Sequence, residues 1–160
     1  MNTFLVPIIV AAIVGAGVVT GLLFAFSNFV MRALSDMPAE QGMHAMQRIN
    51  ERIINPIFLL FFFGTPIASV VILFLTISAV NLPGYAWLLV GAILYLIGPF
   101  GITVTRNVPL NNKLALTSQK EAGASWPRYI KAWQFWNHIR SYIGVVSIAC
   151  LAIGLAGLEH

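Results

Sequence analysis

The residues with the most chemistry per turn lie in one short stretch, Trp133-Gln134-Phe135-Trp136-Asn137-His138-Ile139-Arg140-Ser141. At helical pitch, Trp133, Gln134, Asn137, His138, Arg140 and Ser141 share an arc of roughly 160°. Asn137 and Ser141 stack at i, i+4, with Arg140 on one flank and His138 on the other. A neutral imidazole takes a proton near physiological pH, and a guanidinium holds developing negative charge. The arc therefore reads as a polar pocket with His138 and Arg140 as reactive groups. The plainer reading, in which these groups cap helix ends and reach for headgroups, stays open beside it.

Other polar side chains join this set at one end of the apolar segments. They are Ser27, Asn28 and Arg32, then Asn50 and Asn55, then Arg106, Asn107, Asn111 and Asn112. No metal site is expected. His44 and His138 make at most a pair, and Glu40 or Glu51 would have to reach them; a bis-histidine haem fails on the same count. Cys150 is the one cysteine, so no disulfide or CxxC pair forms within the chain, and the thiol reads as packing.

The elements carrying these residues are apolar. Hydrophobic residues make up 59% of the chain and charged ones 9%, against about 25% charged in a soluble domain. At 160 residues a soluble fold could not hide that much apolar surface. The expected fold is all-α: an integral membrane antiparallel four-helix bundle with a short amphipathic cytoplasmic helix, in a single transmembrane domain over 1–157. About 20 apolar residues cross a bilayer. Four stretches qualify, at about 4–30, 56–80, 85–105 and 132–156. The first lacks a preceding Lys or Arg and is too long for a signal-peptide core, so it reads as a retained span. Leu158-Glu159-His160 reads as the start of a tag scar, and Glu159 and His160 are given no role.

The net charge is +4, and apart from Arg140 the basic residues lie in two connections. Arg32, Arg48 and Arg52 lie in the first, and Arg106, Lys113, Lys120, Arg128 and Lys131 in the third; the second, around Asn81 to Gly84, has none. The positive-inside rule puts the basic connections in the cytoplasm and both termini outside, as in a multi-pass inner-membrane protein. No basic stripe suits nucleic acid. No acidic residue lies inside a span, which argues against ion transport.

Several local expectations follow. Asp36 caps a helix with Pro38 and Glu40 in its first turn, carrying an apolar stripe of Met43, Met46, Ile49 and Ile53. Asn55-Pro56 starts the second span and Ser125-Trp126-Pro127 the fourth. Trp126, Tyr129, Trp133 and Trp136 sit at headgroup depth. Pro99, in Gly98-Pro99-Phe100-Gly101, kinks the third span, and Asn107–Asn112 forms a non-helical insert after it. Gly17-x-x-x-Gly21 serves a contact within the chain or the seam of a homo-oligomer.

Phe24-Ala25-Phe26-Ser27-Asn28-Phe29-Val30-Met31, Met46-x-x-Ile49-Asn50-x-x-Ile53-x-Asn55-Pro56, Asn107-Val108-Pro109-Leu110-Asn111 and Trp133-x-x-Trp136-Asn137-His138-Ile139-Arg140 occur in that order at span ends. In this the chain resembles the anthrone-oxygenase-like family of small membrane proteins, over about Gly15 to Leu155. The resemblance implies cofactor-independent oxidation of a lipid-soluble aromatic ring compound by dioxygen. His138 would then be the base. Arg140, Asn137 and Asn107 would hold the oxyanion, Trp133, Trp136 and Phe24 would wall the ring slot, and Asn28 and Asn50 would complete the substrate contacts. The competing readings are a non-catalytic membrane protein that binds a hydrophobic small molecule, or a structural subunit.

Overall fold

A computed structural model describes the backbone of residues 2–77 and 83–158, with side chains from Phe4 onward. All regular elements among these residues are helices. They are α1 (Asn2–Ala25), α2 (Met31–Ser35), α3 (Ala39–Arg52), α4 (Pro56–Ile77), α5 (Tyr85–Tyr95), α6 (Val108–Ala115) and α7 (Ala122–Gly157). Two π-helical stretches interrupt them without breaking the chain's course: Phe26–Val30 joins α1 to α2, and Leu96–Asn107 joins α5 to α6. Four continuous helical stretches are long and apolar enough to cross a membrane: Phe4–Ser35, Pro56–Ile77, Tyr85–Ala115 and Gln119–Gly157. The expected end of the second span beyond Ile77, the loop at Asn81 and the terminal Glu159 and His160 lie outside the described residues.

α1 packs on α4 and α7, and α5 packs on the same two helices. The outward faces carry bare apolar side chains such as Phe4, Ile57, Ile67 and Phe74, each more than 60% exposed. A water-soluble protein does not show contiguous apolar surface of this kind, whereas lipid accepts it. Hydroxyls in α4 are satisfied within their own helix. Thr65, Ser69 and Thr76 donate to the carbonyls of Phe61, Thr65 and Ile72 at 2.8, 2.9 and 2.6 Å.

Close packing at the end away from the polar residues uses small side chains. A Cβ on Gly91 would lie 2.9 Å from the backbone nitrogen of Leu151, and one on Gly154 2.9 Å from that of Leu88. Gly84 turns the chain into α5 with φ of 77°, a conformation that costs a residue with a Cβ. The Gly17/Gly21 pair makes no such contact. Both face open space, while Gly15 is the glycine pressed against a neighbour, Thr65.

Four local expectations need correction. Asp36 does not cap α3. It closes α2 instead, its backbone N–H bonding Arg32 O at 3.0 Å, and Pro38 occupies the position before Ala39 with no side-chain cap. Asn107–Asn112 is not a non-helical insert. The N–H of Val108 reaches five residues back to Thr103 O, and this wide turn lets Pro109 enter at the start of α6, where its fixed φ suits a helix and its missing donor is tolerated. Pro99 sits inside the same π-helical stretch, so the altered register absorbs its lost donor. α7 begins before Ser125: Ser118 and Glu121 form a capping box, and Pro127 falls inside the helix. Finally, Trp126, Tyr129 and Trp133 are buried in a protein core with Met31, Leu34, Met43, Met46, Leu114 and Ala122, because α3 folds across this end of α7.

The start of α4 follows the sequence reading. Asn55 Oδ1 accepts the N–H of Phe58 at 3.0 Å, with Pro56 in the first turn. Cys150 is buried as a free thiol.

Candidate functional site

The site is built outward from Asn137, which is fully buried on α7. Its Nδ2 donates to Leu23 O and to Ser27 Oγ, both at 2.8 Å. That spends the amide's donors on α1 and the wide turn after it. Its Oδ1 is left to accept from Arg140, by Nε at 3.0 Å and Nη2 at 2.6 Å. Arg140 Nη1 donates to Thr103 Oγ1 at 2.6 Å, and Thr103 in turn donates to Pro99 O. The guanidinium also lies over the Trp133 ring, 5.1 Å from its centroid. Ser141 Oγ donates to Asn137 O at 2.7 Å and sits 3.3 Å from Ser27 Oγ.

Arg140 is thus held from three sides and only 4% exposed. Among the described residues no carboxylate pairs with it; the one ion pair found joins Arg48 and Glu51. Burying a cation without a counter-charge is costly. The two amide contacts and the hydroxyl use three of its N–H groups, and the remainder stay available to an anion. Both π-helical stretches abut α7, one supplying Ser27 and the other Thr103. Such wide turns recur at functional sites because they re-aim backbone and side-chain groups.

Arg140 forms part of the wall of a cavity of about 410 Å³. Thr103 and Trp133 flank it. Met46, Ile49 and Asn50 of α3 lie along a second side, and Leu23 of α1, Phe26 of the wide turn after it, and Phe58 and Phe62 of α4 make an apolar side. Phe62 contacts Phe58 and Phe100 at 5.4 and 5.3 Å between ring centroids. The roof is fastened down. Gln47 of α3 donates to Leu114 O at 2.8 Å and Thr117 O at 3.2 Å, and accepts from Gln119 at 2.8 Å.

Of the site residues expected from the sequence, Arg140, Trp133 and Asn50 line this cavity, as do Asn111 and Asn112 of the wider polar set. Asn137 stands behind Arg140 as its anchor. Asn107 is buried and donates to Trp133 O at 3.2 Å, so it steadies the backbone of α7. His138 is half-buried and is not among the lining residues. Trp136 carries Arg106 over its ring at 4.8 Å, also away from the cavity. Phe24 and Asn28 are exposed; the aromatic at the cavity is Phe26, two residues on, at the start of the π-helical stretch after α1.

Sequence reasoning missed Thr103, hidden in an apolar run, and undervalued Asn111. The latter accepts from Tyr129 OH at 2.9 Å and Trp133 Nε1 at 2.8 Å. Among the described residues, no group of three His, Cys, Asp or Glu side chains could hold a metal.

The family model for anthrone oxygenase matches residues 58–150. The chain belongs to the anthrone oxygenase family. No curated protein and no solved structure matched it. The stretch shared with the anthrone oxygenase family holds Thr103, Asn111, Trp133, Asn137 and Arg140, whereas Phe26 and the α3 side of the cavity lie before it.

Proposed function

We propose that this protein oxidises a flat, lipid-soluble fused-ring ketone of the anthrone type with dioxygen, in the cavity beside Arg140. The observation that carries the reading is a buried guanidinium with no carboxylate partner, facing a largely apolar cavity large enough for such a ring. An anthrone has a methylene made acidic by the ketone across the central ring. Loss of its proton leaves an enolate whose charge rests on the ketone oxygen, and Arg140 is placed to hold that oxygen. The electron-rich ring carbon then bonds to dioxygen, and protonation gives a hydroperoxide. Loss of water from it, with the second C–H proton, leaves a carbonyl. One oxygen atom ends in the ring product and the other in water, so no outside reductant is consumed.

The proton acceptor in this reading is Glu51, the one carboxylate among the lining residues, which would exchange its ion pair with Arg48 for the substrate proton. His138, the base inferred from the sequence, is tested beside it. Trp133, Phe26 and Phe62 would bracket the ring, and Asn137 with Thr103 would keep Arg140 aimed.

We also infer that the four long helices form an antiparallel bundle in the inner membrane. The basic connections and α3 then lie on the cytoplasmic side, with both termini outside. The four apolar helices and the separation of charge along the chain support this. Reporter fusions at the connections check it; basic connections on opposite faces would refute it.

The decisive experiment measures oxygen uptake by the detergent-purified protein with a hydroxylated anthrone. Arg140→Met should abolish most turnover, and Glu51→Gln should slow it more than His138→Ala. Uptake unaffected by Arg140→Met would remove the reading; tight binding of the ring with no uptake would favour a carrier instead.

A further inference from the structure

The side chain of Asn111 is oriented by two donors. Tyr129 OH and Trp133 Nε1 both bond its Oδ1, at 2.9 and 2.8 Å. An amide held this way has its Nδ2 turned away from both donors, and among the described residues that Nδ2 finds no acceptor. Asn111 lines the cavity.

The Asn50 amide lies next to the same Tyr129 hydroxyl, and its Nδ2 is buried and bonds no other group among the described residues. Asn50 also lines the cavity, from α3. The two amides thus flank one hydroxyl: Asn111 accepts from it by Oδ1 with its own Nδ2 turned away, and Asn50 lies beside it. Trp133 stands between them and Arg140: the guanidinium lies over its ring, while Asn111 is at its Nε1 edge. Arg140 and Asn111 thus touch different parts of the same indole, one over the ring and one at its Nε1, and both line the cavity.

We propose that Asn111 and Asn50 form a second donor site in the cavity, which binds the oxygen added to the ring carbon opposite the ketone. This rests on the reading of the cavity given above. In a fused three-ring ketone the ketone oxygen and the reacting carbon lie at opposite ends of the central ring. With the first at Arg140, the second faces the amides. They would hold the hydroperoxide as its O–O bond breaks to give the carbonyl and water, and then hold the new carbonyl. The site thus selects ring compounds with oxygen at both ends of the central ring, and it favours the quinone over the ketone it came from.

Binding tests this without turnover. The full-length protein in detergent is titrated under argon with 9,10-anthraquinone and with anthrone, following quenching of tryptophan fluorescence. One additional hydrogen bond to a neutral oxygen should give the wild type about five- to tenfold tighter binding of the quinone. Asn111→Asp keeps an acceptor for Tyr129 and Trp133 but removes the donor. Asn50→Leu removes the other donor without touching that pair. Each should erase most of the preference, leaving anthrone binding within about twofold. Equal affinity of the wild type for both ligands, or an unchanged preference in both variants, overturns the donor site, and so does the absence of any binding. A preference that both variants lose, in a protein that consumes no oxygen, upholds the donor site and removes only the oxidation.

Discussion

The two ends of this molecule handle polar groups differently. At the glycine-rich end, the hydroxyls of α4 bond backward along their own helix, as Thr76 does to Ile72 O, the bond between helices runs from a short side chain straight to a backbone carbonyl, Ser147 Oγ to Gly91 O at 2.7 Å, and neighbouring helices touch through Gly91 and Gly154. At the other end, side chains bond between helices: Asn137 to Leu23 and Ser27, Arg140 to Thr103, Tyr129 to Asn111. Groups satisfied locally, or by a backbone carbonyl in direct contact, let helices close up. Groups that bond side chain to side chain across helices hold them at the distance of a side chain, and a cavity opens between them. The candidate site lies at this second end.

The sharpest way to break the comparison is at Arg140. Arg140→Met should lower kcat by about 10²–10³-fold in an oxygen-uptake assay, while no change of similar size at the closed end should affect the chemistry. Next is Gly91→Val, whose added carbons would press on Leu151, including its backbone nitrogen. It should cost about 1–3 kcal/mol of stability in detergent unfolding, with activity per folded molecule unchanged. Asn55→Ala should cost about 1 kcal/mol through the lost cap of α4, measured the same way. The finest test pairs two threonines that both bond a carbonyl four residues back. Thr103→Val should reduce turnover by about tenfold, because Arg140 loses an anchor. Thr76→Val should change neither turnover nor stability by more than about 0.5 kcal/mol. Equal effects of the two would erase the distinction drawn between the ends.

Much of this was readable from residue order. Apolar length and the charge-poor segments gave the four long helices, Asn55-Pro56 gave a helix start, and the arc from Trp133 to Ser141 pointed to Arg140. What stayed hidden depended on helix register. A wide turn shifts every side chain after it, so the choice between Phe24 and Phe26, or the fate of Val108-Pro109, could not be settled by counting at regular pitch. Ser118-x-x-Glu121 was legible as a capping box and was passed over for Ser125, because a proline after a tryptophan is the louder signal. Asn111 needed knowledge of what Tyr129 and Trp133 would reach, which is a property of three helices together.

Asn137 also ties the chain's beginning to its end. Leu23 O and Ser27 Oγ take their bonds from a residue more than one hundred positions later. During synthesis the first helix therefore forms long before the residue that fastens its far end to α7. A ribosome stalled before α7 would leave the wide turn after α1 without Asn137, and the cavity without Trp133 and Arg140 in its wall.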